Sequence, residues 1–350
     1  MQPVFSPLKL VAIGGGTGLA TLLTGLKPYL DAGQRASDPP CHEVRLQDDL
    51  PFSQVQLALT AIVTMTDDGK SSGRLRSEFG MSPPGDIRNC LVALAREDRF
   101  LKSLFKHRFA GSGSLGGHSL GNLILVALSQ MNENFLAAVE KASALLGCAA
   151  RVLPSTLDLV DLEARIGDQM AYGQRAIKAL RMARGLPIRN LAVTPATAQA
   201  LPEAVEAILA ADLITLGPGS LFTSVLPNLL IKGIAEALSQ SRARKIYICN
   251  LMTEADETEG LSAADHVGEL LRFCPALKLD YAVFNSRPIS PTMRELYAEE
   301  EAVMLEPPNT SHFAFGDVQF ICKSLASEAR SVRHNPANLA RAIFEIYYNV

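Results

Sequence analysis

The 350-residue chain has no tryptophan, only 6% aromatic residues, and no Cys-x-x-Cys pair among its six cysteines. Without such a pair it carries neither a zinc-ribbon nor a thioredoxin-type motif. The scarcity of aromatic rings weighs against a large flat-ring ligand site. Cys41, Cys90, Cys148, Cys249, Cys274 and Cys322 are scattered, which fits a reducing compartment. Positive charge is not in excess: 33 Lys and Arg stand against 36 Asp and Glu. Nothing in that balance marks a nucleic-acid or anionic-membrane partner. The apolar run Leu123–Leu128 is far too short to span a bilayer. Met1–Leu10 shows no basic region followed by a long apolar run, so no signal peptide is expected. These absences together predict a cytoplasmic protein without membrane insertion.

What is present is an alternation of strands and helices. Leu8–Ile13 reads as a buried strand, Leu19–Lys27 as a helix stopped by Pro28, and Val55–Met65 as a second strand. Helices are expected at Arg74–Met81, Ile87–Asp98, Ser119–Met131 and Glu133–Leu146. Residues 31–54 read as a surface excursion, and residues 151–194 as a small β-rich insertion containing strand-like Arg151–Thr156, Leu159–Ile166 and Ile188–Val193. The alternation then resumes through Leu213–Leu216, Lys245–Cys249 and Tyr281–Phe284. It closes on a helix Pro336–Tyr347 capped by Asn335. This pattern predicts an α/β, Rossmann-like, mostly parallel sheet with helices on both faces.

Chemistry concentrates at the strand tips. The first strand runs into Gly14, Gly15, Gly16, Thr17 and Gly18, then a helix. Glycines let a ligand approach the backbone, and a helix N-terminus offers free N–H groups to an anion. The spacing is neither G-x-G-x-x-G nor a Walker loop, and a bare connecting turn is the plain alternative. The second strand ends in Asp67, Asp68 and Gly69, followed by Lys70, Ser71, Ser72, Gly73 and Arg74. Carboxylates there suit a ribose hydroxyl or a divalent cation, though an Asp-Gly turn explains them equally. Asp86, after Pro83-Pro84-Gly85, reads as a helix N-cap, which places Arg88 and Asn89 in the first turn. An arginine there is disfavoured by the helix dipole and better explained by a nearby anion. His118 and Asn122 fall one helical turn apart, with no carboxylate near His118 in sequence to orient it. Gly217, Gly219 and Ser220 form a second glycine-rich turn after a strand, and two such turns point to one crevice. Asn250 and Thr253 follow the Lys245–Cys249 strand and stand to line the same rim, or to form a turn.

In this order, the segments resemble the YvcK / CofD-like family, often labelled gluconeogenesis factor. The carrying residues are Ile13–Gly18; Asp67–Gly69 with Ser71–Arg76; Pro83–Asn89; His118 with Gly121–Leu123; and Gly217–Leu221 with Thr223, Ser224 and Pro227–Leu230. The resemblance covers about residues 8–325 and implies a single CofD-like domain over 1–350 that binds a nucleotide-containing ligand. For the YvcK branch it implies a UDP-sugar such as UDP-N-acetylglucosamine, with NAD-like ligands as alternatives. It also implies links to gluconeogenic growth, cell shape and cell-wall precursor supply. CofD enzymes transfer a phospholactyl group to a deazaflavin with a divalent metal, which would make Asp67 and Asp68 candidates for Mg²⁺. The Ser71–Arg76 and Pro83–Asn89 blocks look like the YvcK branch. They therefore favour a regulatory binder, with no catalytic residue assigned, over a transferase. An NAD-dependent oxidoreductase ranks last, because the G-x-G-x-x-G spacing is missing. A homo-oligomer is expected.

Three departures stand out. Lys70 replaces an expected second glycine, Glu254–Thr258 replaces an expected Gln-Pro-Gly-Glu-Thr turn, and residues 31–54 are long.

Overall fold

The computed structural model describes residues 6–30, 52, 55–96, 98–308 and 315–350. Except for Phe52, the expected excursion at 31–54 lies outside the described residues.

Twelve strands occur among the described residues. They are β1 Leu8–Gly14, β2 Leu57–Val63, β3 Arg151–Pro154, β4 Asp161–Ile166, β5 Gln169–Tyr172 and β6 Ile188–Thr194, then β7 Leu213–Leu216, β8 Arg244–Ile248, β9 Tyr281–Asn285, β10 Gln319–Lys323, β11 Ala326–Glu328 and β12 Val332–His334. Seven of them form one sheet in the order β10-β9-β8-β7-β1-β2-β3. Every pairing in it is parallel. With both faces covered, strands such as β1 and β7 are buried almost throughout, which is why they read as continuous apolar runs. The chain winds outward from β1 to β2 and β3 on one side, and from β7 to β10 on the other. The order therefore reverses between β1 and β7, and a reversal of this kind is where open α/β sheets place a ligand crevice, outside the C-terminal ends of the strands.

The helix after β1 begins at Gly16, three residues earlier than the apolar pattern indicates, and runs to Leu26. It packs against the closing helix Pro336–Tyr348, where Asn335 is the N-cap and its side chain accepts the Asn338 N–H. Tyr29 meets Phe344 edge to face at 4.7 Å between ring centroids.

Two sequence readings need correction. Arg151–Pro154, grouped by composition with the β-rich segment, instead pairs with β2 in the main sheet. The small antiparallel sheet is β5-β4-β6, and it carries an unforeseen helix, Gln174–Arg184, whose Ile177 is buried. Short alternating strands on either side masked that helix in sequence.

β12 ends in His334, whose imidazole is deeply buried. Burial pushes its pKa down to about 4, partly offset by a hydrogen bond with the Cys249 backbone. The folded protein thus holds His334 neutral where the unfolded chain protonates it near 6.5. Stability from this residue is complete above about pH 6.5 and is lost as pH falls toward 4, by roughly 3 kcal/mol in all. Urea unfolding at pH 7 and 4.5 should show this loss, and His334→Gln should remove most of it. An unchanged pH dependence in the variant would mean that His334 is not held neutral.

Candidate functional site

The two glycine-rich turns meet. The Gly217 N–H donates to the Ile13 carbonyl at 2.9 Å, which joins the turns at their bases. A Cβ on Gly18 would collide with the Pro218 carbonyl, so only glycine lets the first helix seat against the second turn. Gly16 has φ +62°, a left-handed conformation in which a β-branched residue is strained. Asn228, fully buried, fixes the first turn from behind by donating to the Gly14 carbonyl at 3.2 Å and the Ser224 carbonyl at 2.8 Å. Gly16, Thr17, Gly18, Gly219 and Ser220 remain partly or fully exposed.

Asp86 is the second residue of the helix Gly85–Leu94, whose N-cap is Pro84, so the expected capping role is incorrect. Its carboxylate lies instead under the first turn. A Cβ on Gly15 would stand 2.8 Å from it, and it accepts the Gly16 N–H. Burial, with the Asp67 charge next, raises its pKa to about 7. Asp67 accepts the Gly69 N–H at 2.9 Å and points its other oxygen toward Gly85. The two carboxylates are near enough for the Asp67 charge to act on Asp86. Asp68 turns away: it accepts the Arg175 N–H at 3.2 Å, at the start of the Gln174–Arg184 helix, where an anion is favoured.

The helix that follows spans Lys70–Phe79, four residues longer at its start than the sequence indicates. Ser71 and Ser72 are therefore buried in its first turn rather than in a loop. Ser71 supplies the partner that His118 lacks in sequence. Asn122 Nδ2 donates to Ser71 Oγ at 3.0 Å, which leaves the Ser71 hydroxyl hydrogen for His118 Nδ1 at 2.9 Å. Burial, then the Arg74 charge, lowers the His118 pKa, consistent with a neutral acceptor ring. Ser119 caps the Leu120–Met131 helix. Arg88 is buried beside Gly121 and donates to Asn89 at 2.7 Å; its Nε and Asn122 Oδ1 have no protein partner. Buried polar atoms left open in this way mark space for water or a ligand group.

Other expected residues are committed elsewhere. Arg74 donates to the Gly116 and Ser114 carbonyls and so fastens the glycine/serine loop. Thr253 pairs with Val303, accepting its N–H at 2.8 Å. Asn250 accepts the Gly219 N–H at 3.2 Å and so shapes the second turn. Lys70 has φ +30°, which accounts for the glycine expected there, and it lines an open groove of about 900 Å³ with Arg74, Arg76, Tyr172 and Arg175.

The sequence reading missed the clamp around the second turn. Glu257 accepts the Phe222 N–H at 3.1 Å and the Thr223 hydroxyl. Gln174 spans Thr66 Oγ1 at 3.0 Å and the Thr223 carbonyl at 2.8 Å. Lys178 and Arg181, on the same helix face, pair with Glu257 and Glu259. The i, i+4, i+7 spacing of these three polar residues is the signal that was present, but only once the segment is seen as a helix.

Ser71→Ala would strand the Asn122 amide and the His118 ring in a buried site. A loss of about 1–3 kcal/mol in unfolding free energy is expected. A change below about 0.5 kcal/mol would show that water replaces the hydroxyl.

Comparison with known proteins agrees with this fold. The family model of 2-phospho-L-lactate transferase CofD matches residues 10–323. A Gluconeogenesis factor of Halalkalibacterium halodurans is 37% identical over 342 residues, covering 96% of each chain. One from Bacillus subtilis is 40% identical over 295 residues, covering 84% of each. The crystal structure of a Bacillus halodurans protein superposes with a TM-score of 0.86 at 37% identity, covering 97% of this chain and all of that one. Among the described residues no helix is long and apolar enough to cross a membrane. The matched length, the shared sheet and the strand-tip motifs place this chain in the CofD family, among the relatives named gluconeogenesis factor.

Proposed function

We propose that the protein is a regulatory binder of a nucleotide sugar of the UDP-N-acetylglucosamine type, which it holds by the diphosphate across the β1 and β7 turns without turning it over. The observation that carries this reading is the contact of the two glycine-rich turns at the point where the sheet order reverses. The first turn presents the positive N-terminal end of the 11-residue helix Gly16–Leu26, where the Gly16 N–H is already given to Asp86. The second adds the half-exposed Ser220 hydroxyl. Such a binder acts by favouring one conformation or partner complex, and only to the extent that its ligand distinguishes the two states.

Calorimetry with UDP-N-acetylglucosamine and with NAD tests the site. Gly16 is a poor target because of its left-handed backbone, whereas Gly18→Ala drives a methyl group into the Pro218 carbonyl and separates the turns. The variant should lose about 1–3 kcal/mol of stability through overpacking and at least about tenfold in nucleotide affinity. Unchanged affinity in a folded Gly18→Ala protein would move the ligand elsewhere. Sustained release of UDP from UDP-N-acetylglucosamine would overturn the binder reading.

One observation favours a CofD-type transferase as the second reading. Asp67 lies near enough to Asp86 for its charge to raise the Asp86 pKa, and carboxylate pairs of this kind suit Mg²⁺. A metal held there by Asp67 and Asp86 would supply charge neutralisation to a phosphoryl group; Asp68, occupied by Arg175, fits that role less well. Nucleotide affinity that collapses on chelation with EDTA favours this reading, and affinity that does not change leaves the carboxylates as hydrogen-bond acceptors.

A further inference from the structure

Beside the second turn, the carboxylate oxygens of Glu254, Asp256 and Glu257 lie within 4.8 Å of one another. The cation among them is the Lys178 ammonium, 2.9 Å from Glu257 and 3.0 Å from Asp256 but 3.8 Å from Glu254. Three carboxylates share one ammonium, and it is committed to the other two. Glu254 is the least compensated of the three. Its closest partners are neutral donors: the Ser220 hydroxyl at 2.7 Å and the Asn250 amide at 3.0 Å. The titratable groups around it are Lys178 from the Gln174–Arg184 helix, Asp256 and Glu257 from its own turn, and the buried Tyr247 phenol from β8.

This arrangement sets a conflict. Ser220 carries the one hydroxyl of the Gly217–Ser220 turn; it is half-buried, and its hydrogen is given to Glu254. A phosphate arriving at the turn needs that hydrogen and meets a carboxylate behind it. Resting on the reading that a diphosphate lies across the two turns, we propose that Glu254 is a specificity-determining residue: the ligand phosphate displaces it from the Ser220 hydroxyl, and each phosphate bound there brings one proton onto Glu254. The proton comes from solvent and forms a carboxyl O–H, the Ser220 hydrogen turns to the phosphate, and no other bond changes. Burial, with Glu257 next, raises the Glu254 carboxyl to about 7, so the exchange falls in the neutral range. Ligand affinity therefore weakens as pH rises through 7. A doubly charged terminal phosphate is disfavoured more than a singly charged diester, and a sugar-capped diphosphate is selected over its uncapped product.

The test is calorimetry of UDP-N-acetylglucosamine between pH 6 and 8, in two buffers of different ionisation enthalpy, with wild type and Glu254→Gln. Neither phosphate of this ligand has a second ionisation, so protons taken up in that range belong to the protein. Wild type should take up close to one proton at pH 8 and lose about tenfold in affinity from pH 6 to 8. Glu254→Gln keeps an acceptor for Ser220, and it should bind with little pH dependence and more tightly than wild type at pH 8. UDP should show the larger gain on substitution. Asp86 at the first turn is also raised to about 7, so loss of the uptake in Glu254→Gln is what assigns the proton to Glu254. Binding without proton uptake overturns the role of Glu254 and leaves the crevice reading intact, as does a Glu254→Gln protein with the wild-type slope. No binding by either protein at pH 6 overturns the crevice reading, and this inference with it.

Discussion

The first helix and the second turn approach more closely than any side chain allows. Gly18 lies against the Pro218 carbonyl, and the Gly217 N–H reaches back to Ile13 at the end of β1. This contact is possible only because β1 and β7 are neighbours, an adjacency created by winding the chain outward from β1 in both directions. Once the turns touch, the positive end of the Gly16–Leu26 helix and the half-buried Ser220 are brought to the same switch point of the sheet. The Asp86 carboxylate lies beside Gly15.

Around that contact the protein places two layers of buried polar groups. Asn228, Asn250 and Glu257 bind backbone groups of the turns, so that each turn's shape is fixed by hydrogen bonds from outside it. From the small antiparallel sheet's helix, Lys178 then pairs with Glu257, Gln174 binds the Thr223 carbonyl, and Arg181 pairs with Glu259. Networks of this type specify one arrangement to the extent that their members are satisfied; here Asn228 Oδ1 and the Arg181 Nε and Nη1 atoms are buried without a protein partner. The helix on the accessory sheet is thereby coupled to the crevice through side chains alone.

Much of the fold was readable from patterns that depend on local physics. Runs such as Leu8–Ile13 and Leu213–Leu216 announce strands covered on both faces, and Asn335-Pro336 announces a helix start. The helix boundaries at Gly16 and Lys70 were less legible. The first turns of both helices are rich in glycine or serine, residues that propensity assigns to loops, and tertiary partners override that preference. The helix Gln174–Arg184 was invisible for a related reason: strands two residues from its start gave the segment a β character.

The candidate site divides along the same line. The sequence by itself determined which strand tips carry glycines, carboxylates and hydroxyls, because a turn that must admit a close neighbour has to be written in residues without a Cβ. It did not decide what each polar side chain does. His118 finds Ser71, 47 positions away; Asp68 caps a helix begun over a hundred residues later; Arg74 and Thr253 are taken up by backbone groups outside the crevice. Hydrogen bonds and ion pairs act over about 3 Å of space and take no account of distance along the chain. Only the packed sheet, by bringing those tips to one edge, settled which polar groups face one another and which are left facing the crevice.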